Sequence, residues 1–218
     1  NTQLGFFYEY TTHNQSINYF VIFILCIFIS IICLFLSNRK THINLKNLSL
    51  IFILFNIFLY FFIFSQSIIL FFLSYEMLLI LSSLLIITTS PNKRNNLTTI
   101  YFIFWTQLGS FLVFLSICLI ISKLNLEFFY QLNELNNNRI NTIITVLFLT
   151  GFAIKIPTWP FNFWLTKTHV EANTGFSIFL SGILVKTAVL GVYKLFYFVS
   201  FINSNLLVSI CIISILDV

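Results

Sequence analysis

The sequence predicts an all-α polytopic membrane protein of about six to seven spans, one of them broken by proline. Three observations carry this. Of 218 residues, 59% are hydrophobic and 8% charged, against roughly 25% charged in soluble domains. Apolar runs approaching the ~20 residues that cross a bilayer recur along the chain. Alternating strands of the kind that build a membrane barrel are not evident.

Residues 1–16 are polar and aromatic and read as an exposed lead-in. A first span follows from Ile17 to Leu36, closed by the basic loop Ser37 to Lys46. The second covers Leu48 to Phe64, and Ser65-Gln66-Ser67 makes a tight connection. The third, Ile68 to Ile87, is interrupted by Glu76, and a loop with Pro91, Lys93 and Arg94 ends it. The fourth runs from Thr98 to Ile121, before a longer polar connection to Asn141. The fifth starts near Thr142, breaks at Pro157 and Pro160, and resumes from Phe161 to Thr168. The sixth occupies Thr174 to Phe198. A seventh begins at Leu206, and its length up to Val218 rises ~20 Å against a ~30 Å core, so it is expected to be incomplete or completed by a partner.

The net charge is +5, but its distribution argues against nucleic acid. Arg39, Lys40 and Lys46 share one loop, and Lys93 and Arg94 another, with no acid in either. In the connection 122–141, Lys123 and Arg139 balance Glu127 and Glu134. If each span crosses once, both basic loops fall on one side, which the positive-inside rule makes the matrix or cytoplasmic one. The cysteines at 26, 33, 118 and 211 all sit in apolar runs, where thiols act as small hydrophobes; neither disulfide nor metal is expected. The start shows neither signal peptide nor Arg/Ser-rich transit segment. With a composition rich in Phe, Ile, Leu and Asn, this suggests an AT-rich organelle genome and synthesis beside the membrane.

Three ionisable residues interrupt the apolar runs: Glu76, Lys155 and Lys186. Such groups cost ~2.5–3.5 kcal/mol each at bilayer centre on insertion scales and mark function. Lys155 is followed at once by Ile-Pro-Thr-Trp-Pro. Proline removes a backbone donor and frees carbonyls, tolerated in a membrane where the break faces protein or water. The lysine is therefore expected beside unsatisfied carbonyls in a hydrated, protonatable site. Burial there opposes its charge and a nearby carboxylate favours it, so the amine can load and release a proton. Snorkelling from a helix end is the alternative for both lysines, and a structural hydrogen bond the alternative for Glu76. Lys194 reads as an ordinary interfacial anchor. His169 is a proton relay or a cap at the end of the broken helix, and Glu171 stabilises the start of the next helix. Trp105, Trp159 and Trp164 read as packing or interface residues. A Gly-rich phosphate loop, nucleophile triad or metal cluster is not evident.

The stretch Phe152 to Lys194, FAIKIPTWPFNFWLTKTHVEANTGFSIFLSGILVKTAVLGVYK, resembles the subunit 4 family of mitochondrial NADH:ubiquinone oxidoreductase, respiratory complex I. It is similar to that family's proline-broken helix, its His-Val-Glu-Ala turn and the following Leu-Val-Lys helix. FFLSYEMLLI (Phe71 to Ile80) resembles the helix with the family's essential glutamate, and Thr106-Gln107-Leu108-Gly109-Ser110 its Leu-Gly-Ser segment. The resemblance covers about residues 45–200. Bacterial cation/proton antiporter subunits share the broken helix and lysine; His169-Val170-Glu171-Ala172 followed by Lys186 favours subunit 4. Thr166, Asn173, Asn162 and the run Ala188-Val189-Leu190-Gly191 depart from the family pattern.

The resemblance implies an antiporter-like helix bundle, with residues 47–200 forming one five-helix repeat and a proton-uptake half-channel. Residues 17–46 would be a preceding span and loop, and 201–218 the start of a further, incomplete span. It implies that Glu76 and Lys155 form a charged pair whose separation tunes proton affinity, and that Lys186 passes the proton on. NADH, FMN, iron–sulfur clusters and ubiquinone would belong to partner subunits, with no cofactor in this chain. The partners implied are other membrane-arm subunits in the mitochondrial inner membrane. Because the family carries a second inverted repeat, the chain is expected to be a fragment or one product of a split gene. The rival readings are a cation/proton antiporter subunit and a non-pumping structural subunit.

Overall fold

The computed structural model describes residues 2–38, 45–89, 94–124, 127–128, 139–159, 161–171 and 174–198. Eight α-helices account for most of them: α1 (Thr2–Asn38), α2 (Leu45–Phe64), α3 (Ile68–Thr89), α4 (Arg94–Leu119), α5 (Arg139–Lys155), α6 (Phe163–Glu171), α7 (Thr174–Phe179) and α8 (Val185–Phe198). π-helical turns extend α4 over Ile120–Leu124 and join α7 to α8 over Leu180–Leu184. Among the described residues five stretches are long and apolar enough to cross a membrane: Asn18–Leu36, Lys46–Phe64, Ile68–Thr88, Thr98–Lys123 and Thr174–Lys194. Thr142–Lys155 is a shorter apolar helix. These match the expected spans within a few residues, and α1 also takes in the polar lead-in. The seventh span from Leu206, Pro160, Cys211, the basic residues Arg39, Lys40 and Lys93, and most of the connection after α4 lie outside the described residues.

Helices apolar on every side suit a lipid environment, where each backbone group must be satisfied within the segment. The hydroxyls in the spans obey the same constraint. Ser74 donates to Phe71 O at 2.9 Å, Ser82 to Leu79 O at 2.8 Å, Thr106 to Phe102 O at 2.7 Å and Ser116 to Val113 O at 2.6 Å. Each of these four hydroxyls is thus returned to its own helix.

Helix α1 packs on α2 and α7, α2 on α3, α3 on α4, α4 on α5 and α6, and α5 on α8. The core between them is aromatic, with Phe55, Phe62, Phe71, Phe102, Phe148, Phe152 and Phe179 all fully buried. Phe28, Phe35, Phe104 and Phe111 point outward instead, as lipid permits. The backbones of α4 and α5 approach closely, and a Cβ on Gly109 would stand 2.7 Å from Gly151 O and one on Gly151 2.7 Å from Gly109 O. Glycine at both positions lets the two helices meet. After α2, Ile68 N donates to Glu127 O at 3.0 Å, and Ser67 bridges Phe128, so Glu127 and Phe128 lie against the α2–α3 turn.

Candidate functional site

Helices α3, α4 and α5 meet around the end of α5, and α3 supplies Tyr75 and Glu76 as neighbours in sequence. α4 supplies Thr106, Gln107 and Gly109. Lys155, the last residue of α5, lies along Gly109, where a Cβ would stand 3.2 Å from the lysine Cγ. Its side chain is 5% exposed. Nζ rests 3.6 Å from the centre of the Tyr75 ring, a cation–π placement. This lysine therefore does not snorkel to an interface.

Glu76 is electrostatically coupled to Lys155, but neither makes an ion pair among the described residues. Glu76 Oε2 accepts from Gln107 Nε2 at 3.4 Å, and the Ser110 hydroxyl donates to Gln107 Oε1 at 3.1 Å. Glu76 Oε1, Lys155 Nζ and Tyr75 OH are all buried without a hydrogen-bond partner among the described residues. Beside Lys155 is a cavity of about 20 Å³ lined by Tyr75, Phe102, Thr106, Trp164 and Thr187, among others. That is room for about one water with polar groups to hold it.

The helix break differs from expectation in one respect. Pro157 does end α5, yet the carbonyls it frees are satisfied. Ala153 O accepts from Thr158 N at 3.2 Å and from Thr158 Oγ1 at 3.2 Å. Ile154 O accepts from Trp164 Nε1 at 2.9 Å. Ile156 N still donates to Phe152 O at 2.8 Å. Two of the carbonyls expected to be free beside Lys155, those of Ala153 and Ile154, thus have donors, because the chain folds back at once and Trp164 reaches across the break. Trp164 is buried, as expected of packing, and also acts as the donor that seals the break.

The two lysines of α8 exchange the positions expected of them. Lys186 is exposed on the outside of the bundle, and its charge is felt at Cys26 of α1. Its neighbours Val185 and Thr187 line the cavity beside Lys155, so α8 reaches the site through the residues flanking Lys186. Lys194 is not an interfacial anchor. It is 3% exposed and donates to Phe62 O at 2.8 Å, Ser65 O at 3.1 Å and Ser65 Oγ at 3.5 Å. His169 Nδ1 lies 3.3 Å from Ser177 Oγ, joining the last turn of α6 to α7.

The structure thus brings Glu76 and Lys155 together and leaves Lys186 and His169 in other surroundings. From sequence, Tyr75 and Gln107 receive no site role, and Trp164 and Lys194 read only as a packing residue and an anchor. Gln107 sits in a segment already singled out, and an amide in an apolar run was the signal available. For Lys194 only the helical face could have told, and that face depends on the π turn before it.

Residues 65–218 match the family described as NADH:quinone oxidoreductase/Mrp antiporter, TM. The chain is 46% identical over 136 residues to NADH-ubiquinone oxidoreductase chain 4 of Paramecium tetraurelia, covering 62% of this chain and 28% of that protein. It is 32% identical over 188 residues to the protein of the same name from Acanthamoeba castellanii, covering 81% and 35%. The chain therefore spans about a third of the length of these relatives. In fold it is similar to a chain of the membrane-bound sulfane sulfur reductase, an archaeal respiratory membrane complex. The TM-score there is 0.77 at 18% identity, over 90% of this chain and 41% of that one. A chain of the Mrp complex from Dietzia sp. DQ12-45-1b gives 0.71 at 18% identity, over 82% and 34%.

Proposed function

The chain belongs to the NADH:quinone oxidoreductase/Mrp antiporter transmembrane family, and from that premise we propose that it is a proton-translocating membrane-arm subunit of an NADH:ubiquinone oxidoreductase. The observation that carries this is Lys155, buried at a broken helix end and coupled to Glu76 without a direct bond. A direct ion pair would hold the proton in place. An amine held only by a ring face and by the field of a carboxylate changes its proton affinity when that carboxylate moves. In this reading, redox energy released in partner subunits shifts Glu76 relative to Lys155, and the Lys155 ammonium then gives up its proton toward the cavity bounded by α8. Gln107, donating to Glu76, sets where the carboxylate rests. Lys186 takes the proton onward at the outer face of α8, and His169 holds α6 against α7.

NADH, flavin mononucleotide, iron–sulfur clusters and ubiquinone belong to partner subunits in this reading, and this chain does no redox chemistry itself. Its partners are the other membrane-arm subunits, with the second repeat supplied by further sequence or by another chain. Its place is the mitochondrial inner membrane.

Proton-to-electron stoichiometry in sealed vesicles of the assembled complex tests the proposal. Lys155→Ala and Glu76→Ala are each expected to lower the protons moved per NADH oxidised while the complex still assembles. Unchanged stoichiometry in both would overturn it. Cation exchange without NADH oxidation, from a chain that migrates apart from the NADH-oxidising band on a native gel, would assign it to an antiporter instead.

A further inference from the structure

Between Lys155 and Lys194 stands a column of stacked rings. Phe62 and Phe71 lie 4.8 Å apart at 27°, Phe62 and Tyr75 5.5 Å apart at 21°, and Phe71 and Phe148 6.4 Å apart at 17°. Phe152 closes the side, 5.1 Å from Tyr75 and 4.9 Å from Phe148. Lys155 Nζ meets one end of the column at Tyr75. Lys194 Nζ meets the other, 5.4 Å from the Phe71 ring and 5.9 Å from Phe62. All five rings are buried.

The column has a direction. Lys194 binds at the α2–α3 turn, which the up-and-down order of the helices puts on the face opposite the loops before α2 and after α3. Tyr75 lies about 10 Å further along α3 from its first residue, Ile68. The rings therefore fill the depth between the mid-membrane amine and that opposite face. A phenyl ring has no donor or acceptor to carry a proton, and the one hydroxyl in the column, on Tyr75, has no hydrogen-bond partner among the described residues.

Lys194 has the hydrogen-bond surroundings of an ammonium. Three oxygens accept from its Nζ, which uses the three donors of an ammonium, and the carbonyls lie at the C-terminal end of α2, where positive charge is favoured. Among the described residues no carboxylate pairs with it. An ammonium beside tightly packed rings repels incoming protons, as charged constrictions do in pores.

We propose that the aromatic column and the Lys194 ammonium together form a proton-tight plug that stops protons leaking from the opposite face back to Lys155. This rests on the proton-pumping reading above, but its test needs no NADH. In sealed vesicles of the assembled complex, a potassium diffusion potential is imposed and proton flux is followed with a pH-sensitive dye, per complex. Lys194→Met is expected to raise the passive flux about tenfold, equivalent to ~1.4 kcal/mol off the barrier, and Lys194→Arg to leave it near wild type. Phe71→Ser, which keeps the bonds of Lys194, is expected to leak as well. A lysine that served only to cap α2 would alter assembly and leave flux per complex unchanged; that result overturns the plug. If Lys194→Met fails to assemble, unchanged flux in Phe71→Ser overturns it alone. Loss of NADH-driven pumping dependence on Lys155 would sink the earlier reading without touching the leak measurement.

Discussion

At the scale of single residues, the site works by leaving a few strong groups unpaired and satisfying everything around them. At the break Thr158 and Trp164 donate to the carbonyls of Ala153 and Ile154, while side-chain atoms of Glu76, Lys155 and Tyr75 are buried without a partner among the described residues. Trp164→Phe keeps a ring against Phe102, whose centre is now 5.7 Å away, but orphans the Ile154 carbonyl. Leaving a buried acceptor unpaired costs about 1–3 kcal/mol, so a lower midpoint in thermal unfolding of the purified complex is expected. An unchanged midpoint would mean that the bond contributes nothing. Glu76 and Lys155 were legible in the sequence because a charge inside an apolar run stands out whatever its orientation. Lys186 and Lys194 were legible only as charges. They sit eight residues apart, about 80° around an ideal helix, and nothing in their local composition tells which of the two turns inward.

At the scale of elements, α4 and α5 are joined by absence of side chain. The paired approach at Gly109 and Gly151 brings Lys155 under Tyr75, because a wider spacing would draw the end of α5 away from α3. Gly151→Ala would put a methyl 2.7 Å from both Gly109 O and Val113 Cγ2, and overpacking of this kind costs about 1–3 kcal/mol. Less assembled complex on native gels is expected, and the complex that does form should move fewer protons per electron. Normal assembly and pumping would show that the helices can part without harm. The spans themselves were readable, since apolar length alone decides them. The π turns were not, because they arise from how neighbouring helices seat against each other and leave no compositional mark.

At the scale of the whole molecule, the arrangement is sided. The α2–α3 turn with Lys194 lies at one face, while Lys46 and the start of α4 lie at the other. By the positive-inside rule the Lys46 face is the matrix or cytoplasmic one. In inside-out vesicles, Lys46→Cys should therefore react with a membrane-impermeant maleimide, and Gln66→Cys, exposed at the turn, only after permeabilisation. The reverse pattern would invert the molecule and with it the direction in which the plug must hold. The order of spans was readable from apolar length, and the distribution of charge predicts their sidedness. The packing that turns six apolar runs into one site was not, because runs this uniformly apolar have no face that prefers the interior.

The π turn from Leu180 to Leu184 closes with Val185 N donating to Leu180 O, one residue further back than an α-helix would reach. Everything after it is phased by that surplus residue. Removing one residue there would rotate α8 by about 100°, swinging Lys194 off the carbonyls of Phe62 and Ser65 and carrying Gly191 out from under the Phe152 ring it admits. Over evolutionary time this turn should accept changes of letter and reject changes of length.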